Sequence, residues 1–190
     1  MIENKIWKYS LKNHKHIKET LLKEIEDIDP NSLDKSTDEG SSIYKTDFFT
    51  RVNLPTKETP KYFSYYEDNI TDFYDHLHKL YYIPSLRIDN FWFQQYVQND
   101  YHDWHIHPWS SLSYVYYVEL DDPAYVTEFF DTKTKKKYQP KAEEGDIIVF
   151  DSYLPHRAPK IKSSTRKTII SSNLSFNPCL DISEIKKYYA

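Results

Sequence analysis

Glycine is nearly absent: the 190 residues contain only Gly40 and Gly145. That excludes the glycine-rich phosphate loops, so there is no Walker A sequence and no dinucleotide fingerprint. There is no G-x-S-x-G nucleophile elbow either. Cysteine occurs once, at Cys179, which rules out an internal disulfide framework and suits a reducing cytoplasm. No apolar stretch approaches the roughly 18 residues a membrane-spanning helix needs, and the opening "MIENKIWKYS" lacks the apolar core of a signal peptide. An excess of positive charge is also missing. The net charge is −4 and the pI about 6.1, so no basic field draws the chain to nucleic acid or anionic lipid. The one basic run, "KTKKK" at Lys133–Lys137, stands between "YVTEFF" and "YQP" and reads as a solvated hairpin turn. What remains is a chain with 39% hydrophobic residues and 18 tyrosines, long enough for one domain (1–190) with a full core.

The chain divides into a helical front (1–87), a β-rich core (88–177) and a short tail (178–190). Ile17, Leu21, Leu22, Ile25 and Ile28 recur at helical spacing until Asp29-Pro30 stops them. Residues 30–42 are polar and turn-forming and read as a mobile loop. A second helix is signalled at Thr59-Pro60, a capping residue followed by proline. Its apolar positions Phe63, Tyr66, Ile70, Phe73, Leu77 and Leu80 recur every three or four residues, and Pro84 ends it. From Ile88 the period becomes two. "FWFQQYVQ", "LSYVYYVEL", "YVTEFF", "DIIVFDS" and "KTIISSNLSF" are short, β-branched or aromatic, and separated by turn residues. Strands in series without crossover helices predict an antiparallel jelly roll, with the N-terminal helices packed outside it.

Three H-x-H pairs occur: His14/His16, His76/His78 and His105/His107. In a helix, residues i and i+2 point about 200° apart and cannot share a ligand, so the first two pairs read as exposed helix positions. His105 and His107 adjoin strands, where i and i+2 share a face and can reach one metal ion. A pair alone fits a half-buried, hydrogen-bonded couple equally well. The third histidine tips the balance: "EEGDIIVFDSYLPHRAP" runs from a Gly-Asp turn through an apolar strand to His156. Three imidazoles on one face leave open positions for substrate and dioxygen.

On these residues the chain resembles two groups. The broader is the cupins, which pair H-x-H with a later G-D…P…H but carry a glutamate soon after the first pair; here no carboxylate precedes Glu119. The closer is the superfamily of 2-oxoglutarate/Fe(II)-dependent dioxygenases, in particular bacterial and phage members with an H-x-H-P motif. The segments "QQYVQNDYHDWHIHPWSSLSYVYYV", "EEGDIIVFDSYLPHRAP" and "RKTIISSNLSF" carry the likeness over residues 88–177.

The resemblance implies a double-stranded β-helix and an oxidoreductase. Fe(II) would be held by His105, His107 and His156. 2-Oxoglutarate would be the co-substrate, with Arg166 gripping its distal carboxylate bidentately. Thr168 and Tyr96 would line that co-substrate site. A C–H bond of a small-molecule or peptidyl substrate would be hydroxylated by dioxygen, with succinate and carbon dioxide as co-products. The compartment would be the cytoplasm, of the host for a phage-encoded chain. Most of the superfamily has H-x-D/E, so His107 stands where a carboxylate is usual. Asp103 and His102 are the neighbouring alternative donors. Trp92, Trp104, Trp109 and Tyr116 are candidates for shaping a substrate pocket. A non-oxidative cupin-like metal domain, and a metal-free structural or virion-associated protein, are the alternatives. The primary substrate and the oligomeric state are not encoded in any motif.

Overall fold

The structure, a computed structural model, describes residues 6–33, 40–48, 51, 58–81 and 85–176. The tail 178–190, part of the 30–42 loop and Pro84 lie outside the described residues. Eleven strands are described, all pairing antiparallel. They are β1 (Ile6–Ser10), β2 (Ser41–Ser42), β3 (Lys45–Thr46), β4 (Leu86–Tyr96), β5 (Tyr101–His105), β6 (Leu112–Leu120), β7 (Glu128–Asp131), β8 (Lys136–Tyr138), β9 (Asp146–Asp151), β10 (His156–Ala158) and β11 (Lys167–Phe176). A major sheet runs β1-β9-β6-β11-β4-β3 and faces a minor sheet, β2-β5-β10-β7-β8. This is a double-stranded β-helix. The basic run forms the tip of the β7–β8 hairpin, with Lys135 at φ 59 in the tight turn.

Helices α1 (His14–Glu26), α2 (Lys61–Asn69) and α3 (Thr71–Tyr81) cover the outer face of the major sheet. Alternation along β6 explains the two-layered core. Tyr114, Tyr116 and Val118 face the helices and meet Ile17, Leu21, Phe63, Tyr66 and Phe73. Val115 and Tyr117 face inward and meet Tyr96, Phe129, Phe150 and Ile169. β6 is apolar on both faces because both are covered. Ring packing is close on the helix side, with Phe63 and Phe91 stacked at 3.4 Å and Tyr66 and Tyr116 at 5.2 Å.

The front of the chain differs from the sequence reading. The front is not purely helical: β1 pairs with β9 along its whole length, from Ile6↔Phe150 to Ser10↔Asp146, and β2 and β3 extend the two sheets. Strands of two residues have no period to detect, and β1 lies at an edge. The second helix is two helices, because Ile70 leaves helical geometry at φ −120, ψ 18. Its cap is Pro60 itself, without a side-chain hydrogen bond. The apolar rhythm survives the break, since Ile70, Phe73 and Leu77 are all buried.

Gly145 shows why one of only two glycines stands here. It turns the chain into β9 at φ +89, and a Cβ would lie 2.8 Å from His14 Cγ. Its N–H donates to the Tyr117 carbonyl at 2.9 Å, and its carbonyl accepts from Leu11 N at 3.0 Å. His14 is therefore not an exposed helix position: it is buried, with Nδ1 2.7 Å from the Tyr116 hydroxyl and Nε2 3.2 Å from Glu144. His16 and His76 are exposed. Gly145→Ala combines a left-handed backbone with a clash against a packed ring. It is expected to cost about 2–4 kcal/mol, read as a lower urea midpoint at unchanged m-value.

Candidate metal and co-substrate site

The sheet pairing assembles the histidines. β10 lies antiparallel to β5 with His156 directly opposite His105. Two steps along β10, from His156 to Ala158, correspond to three along β5, from His105 to His102. This bulge turns both His102 and His105 inward, where they stack at 3.9 Å. Beyond β5 the chain bends, and the His107 N–H donates to the Ser152 carbonyl at 2.8 Å, which holds it against the β9–β10 loop. One ligand atom from each of His105, His107 and His156 lies within 4.8 Å of the other two. The His105 ring centroid is 4.2 Å from that of His156 and 5.1 Å from that of His107.

The donor chemistry fits a divalent cation. His105 Nδ1 donates to the Asp103 carbonyl at 2.7 Å, and His156 Nδ1 donates to the Leu154 carbonyl at 2.8 Å. A carbonyl only accepts, so the proton is on Nδ1 and the Nε2 lone pair is free for a metal. Burial, reinforced by the neighbouring imidazoles, pushes His107 and His102 down to about 3 and His156 well below its ordinary value; burial lowers His105 too. All stay neutral at pH 7, the state in which imidazole ligates. The Asp103 carboxylate does not join them. It is exposed and caps the Trp104 N–H at 2.8 Å.

A small cavity of about 30 Å³ opens between the sheets at the triad. Trp92, Gln94 and Tyr96 of β4 and Ile169, Ser171 and Asn173 of β11 line it on the major-sheet side, with Val115 of β6 and Phe150 of β9. Lys167 shares the inward face of β11 with those residues and pairs in register with Tyr96. It is fully buried, its Nζ 4.4 Å from the Tyr96 ring centre and donating to the Tyr125 carbonyl at 3.1 Å. No carboxylate pairs with it among the described residues, and burial pushes it down to about 7.

In overall shape the chain is similar to three solved structures. One is an oxidoreductase of the 2OG-Fe(II) oxygenase family from Burkholderia pseudomallei (TM-score 0.67, 8% identity, covering 91% of this chain and 85% of that one). Another is HygX from Streptomyces hygroscopicus, with nickel and 2-oxoglutarate bound (0.63, 10%, 91% and 83%). The third is the viral collagen prolyl hydroxylase of Paramecium bursaria Chlorella virus-1 in its 2OG complex (0.59, 14%, 92% and 98%). The chain has the 2-oxoglutarate oxygenase fold. No protein-family model and no curated protein matches the sequence.

Within the oxygenase fold the structure brings together His105, His107, His156 and Tyr96, and leaves Arg166 and Thr168 apart. Arg166 immediately precedes β11 and turns to the outer side of the sheet. Its guanidinium grips Glu119 with Nε at 2.7 Å and Nη2 at 3.2 Å, and reaches Glu26 of α1 at 2.9 Å. Thr168 donates to the same Glu119 at 2.9 Å. Strand alternation is the reason: 167, 169, 171 and 173 point in, 166 and 168 out. Sequence reasoning missed Lys167. The available signal was the inward set Lys167, Ile169, Ser171 and Asn173, one register from the set headed by Arg166. Of the proposed pocket aromatics only Trp92 lines the cavity. Trp104 lies under the Arg157 guanidinium at 4.8 Å, Trp109 is exposed, and Tyr116 faces the helices.

Proposed function

We propose that the chain is a 2-oxoglutarate- and Fe(II)-dependent oxygenase that hydroxylates a C–H bond of a small-molecule or peptidyl substrate. One observation carries this reading: a metal-competent histidine triad and a buried lysine without a carboxylate partner among the described residues face the interior of one barrel of this fold. The reaction consumes substrate C–H, dioxygen and 2-oxoglutarate and yields substrate C–OH, succinate and carbon dioxide.

His105, His107 and His156 would hold the iron, which when bound supplies the activation of dioxygen. The Nδ1–H bonds of His105 and His156 aim their Nε2 atoms inward before any metal arrives. Lys167, rather than Arg166, anchors the distal carboxylate of 2-oxoglutarate. A carboxylate beside its Nζ restores the charged form that burial disfavours. Tyr96, under that ammonium, packs against the aliphatic part of the co-substrate. The apolar inner wall of Val115, Phe150 and Ile169 excludes water.

The test is anaerobic titration of the Fe(II) protein with 2-oxoglutarate, followed by visible charge-transfer absorption and then succinate release on exposure to air. Absence of both signals would sink the proposal. His107 makes a second test of the same site. His107→Asp is expected to retain iron and lower the site's charge by one, whereas His107→Ala should weaken iron binding at least tenfold by direct metal titration.

A further inference from the structure

His102 stands beside the triad without a task in the oxygenase reading. The bulge between β5 and β10 puts it there. In an unbroken strand Asp103 would share the inner face with His105, and His102 would point outward. The extra residue in β5 exchanges them. His102 lines the cavity, while the Asp103 side chain is exposed, and the Asp103 carbonyl rather than its carboxylate bonds His105. His102 does not join the ligand set. Its ring centroid is 3.9 Å from that of His105, with 15° between the two planes. An imidazole lone pair lies in the plane of its ring, so an ion held by one stacked ring lies outside the plane of the other. Among the described residues, the ligand atoms that all lie within 4.8 Å of one another are those of His105, His107 and His156, without His102.

Each ring of the triad has an aromatic neighbour that is not a ligand. His156 meets Phe150 at 4.6 Å and 61°, and His107 meets Trp92 at 5.6 Å and 56°. Those two contacts are steeply inclined, whereas His102 and His105 lie face to face. The difference matters once a cation binds. An imidazole that gives its lone pair to a divalent ion takes on positive charge, and positive charge over an aromatic face is attracted by the π electrons. Inside the barrel that attraction is screened less than in water. Three neutral imidazoles also leave the ion's charge uncompensated, so a π face against one of them has more to stabilise than in a site with a carboxylate.

We propose that His102 is a positioning residue that acts on the metal through His105. The Asp103 carbonyl fixes the direction of His105 Nε2, and the face of His102 stabilises the charge that the His105 ring takes up on coordination. The proposal rests on the triad as the metal site. It adds a fourth histidine that raises the affinity for a divalent cation without touching it.

The experiment titrates Co(II), a probe with visible absorption, into the metal-free full chain of the wild type, His102→Phe and His102→Leu. Phenylalanine keeps an aromatic face in the same place. Leucine keeps apolar bulk and has no face. His102→Leu should raise the Kd of Co(II) about tenfold or more, the scale of losing a group behind a metal ligand. It should also shift the Co(II) bands, which follow the donor strength of His105. His102→Phe should hold the Kd within about threefold of the wild type, with the bands in place. The metal-free Tm of the two variants should agree. A Kd for His102→Leu equal to that of the wild type would overturn the proposal and leave the triad standing. His102→Phe as weak as His102→Leu would overturn it too, by making a His102 nitrogen the working atom. A metal-free His102→Leu clearly less stable than His102→Phe would assign the loss to packing instead. A wild type that binds no Co(II) would remove the triad and this inference with it.

Discussion

His156→Ala is expected to leave the protein without stoichiometric metal. His156 is buried in the centre of the triad, opposite His105 across the strand pair and 5.1 Å from the His107 ring. Loss of a group that merely orients a ligand costs about 10–100-fold in metal affinity, so loss of a ligand should cost about 100-fold or more. The wild type should carry one divalent ion per chain by elemental analysis, and the variant close to none. His76→Ala is the control, since His76 is an exposed helix residue beside Tyr9. A second readout is thermal. Ligand at 100 times its Kd stabilises the folded state by about 2.7 kcal/mol, so added Fe(II) or a redox-inert surrogate should raise the wild-type Tm and leave that of the variant in place. Equal metal content in His156→Ala and His76→Ala would refute the triad.

Lys167→Met is expected to abolish 2-oxoglutarate binding while sparing the metal. A charge-assisted contact to a buried carboxylate is worth roughly 2–5 kcal/mol when one partner is removed. At about 1.4 kcal/mol per factor of ten, the Kd should rise by about 30-fold to well above 1000-fold. Arg166→Ala should leave that Kd in place, because its guanidinium is committed to Glu119 and Glu26 outside the barrel. The reverse pattern would return the anchoring role to Arg166.

The pH dependence separates them further. Burial puts Lys167 at about 7 in the folded chain, against about 10.4 when unfolded. Between those values the unfolded chain holds a proton that the folded chain lacks. Stability therefore rises with pH from about 7, by up to about 1.4 kcal/mol per unit from this group, and the cost of burying the charge is complete below it. Lys167→Met should flatten that rise in chemical denaturation. For 2-oxoglutarate the sign reverses: binding needs the ammonium, so affinity should fall as pH rises above about 7.

The sequence located the triad because its signal is local and periodic. His105 and His107 adjoin a strand, and His156 follows an apolar strand after a turn that only glycine fits. The jelly roll was legible for the same reason, in runs of alternating residues from Ile88 onward. Arg166 and Lys167 show the limit. They are adjacent and both basic, Arg166 just before β11 and Lys167 its first residue, and a one-residue choice of register sends one inward and the other outward. Spacing from His156 cannot decide this. Burial can: Lys167 is at 2% exposure, whereas Arg166 keeps about a third of its side chain in solvent. His14 was misread because a helical period reports which face a residue is on, not that a β-turn from 130 residues away lands on it. His102 stood in the sequence only as a spare donor, because the bulge that turns it inward has no sequence period.

The two carbonyls that accept from His105 and His156 each belong to the residue two positions upstream in the same chain, Asp103 and Leu154. Ring orientation is thus written into the backbone, and no side chain needs to be retained to preserve it. A lineage could drift freely at both positions without disturbing how the nitrogens point. The same arrangement removes a means of adjustment. A carboxylate in that place would make the imidazole a stronger donor and could be exchanged for an amide to weaken it, whereas a peptide carbonyl offers one fixed strength. Within the triad, adjustment by a side-chain hydrogen-bond partner is open to His107, the one member whose ring has no such tether among the described residues.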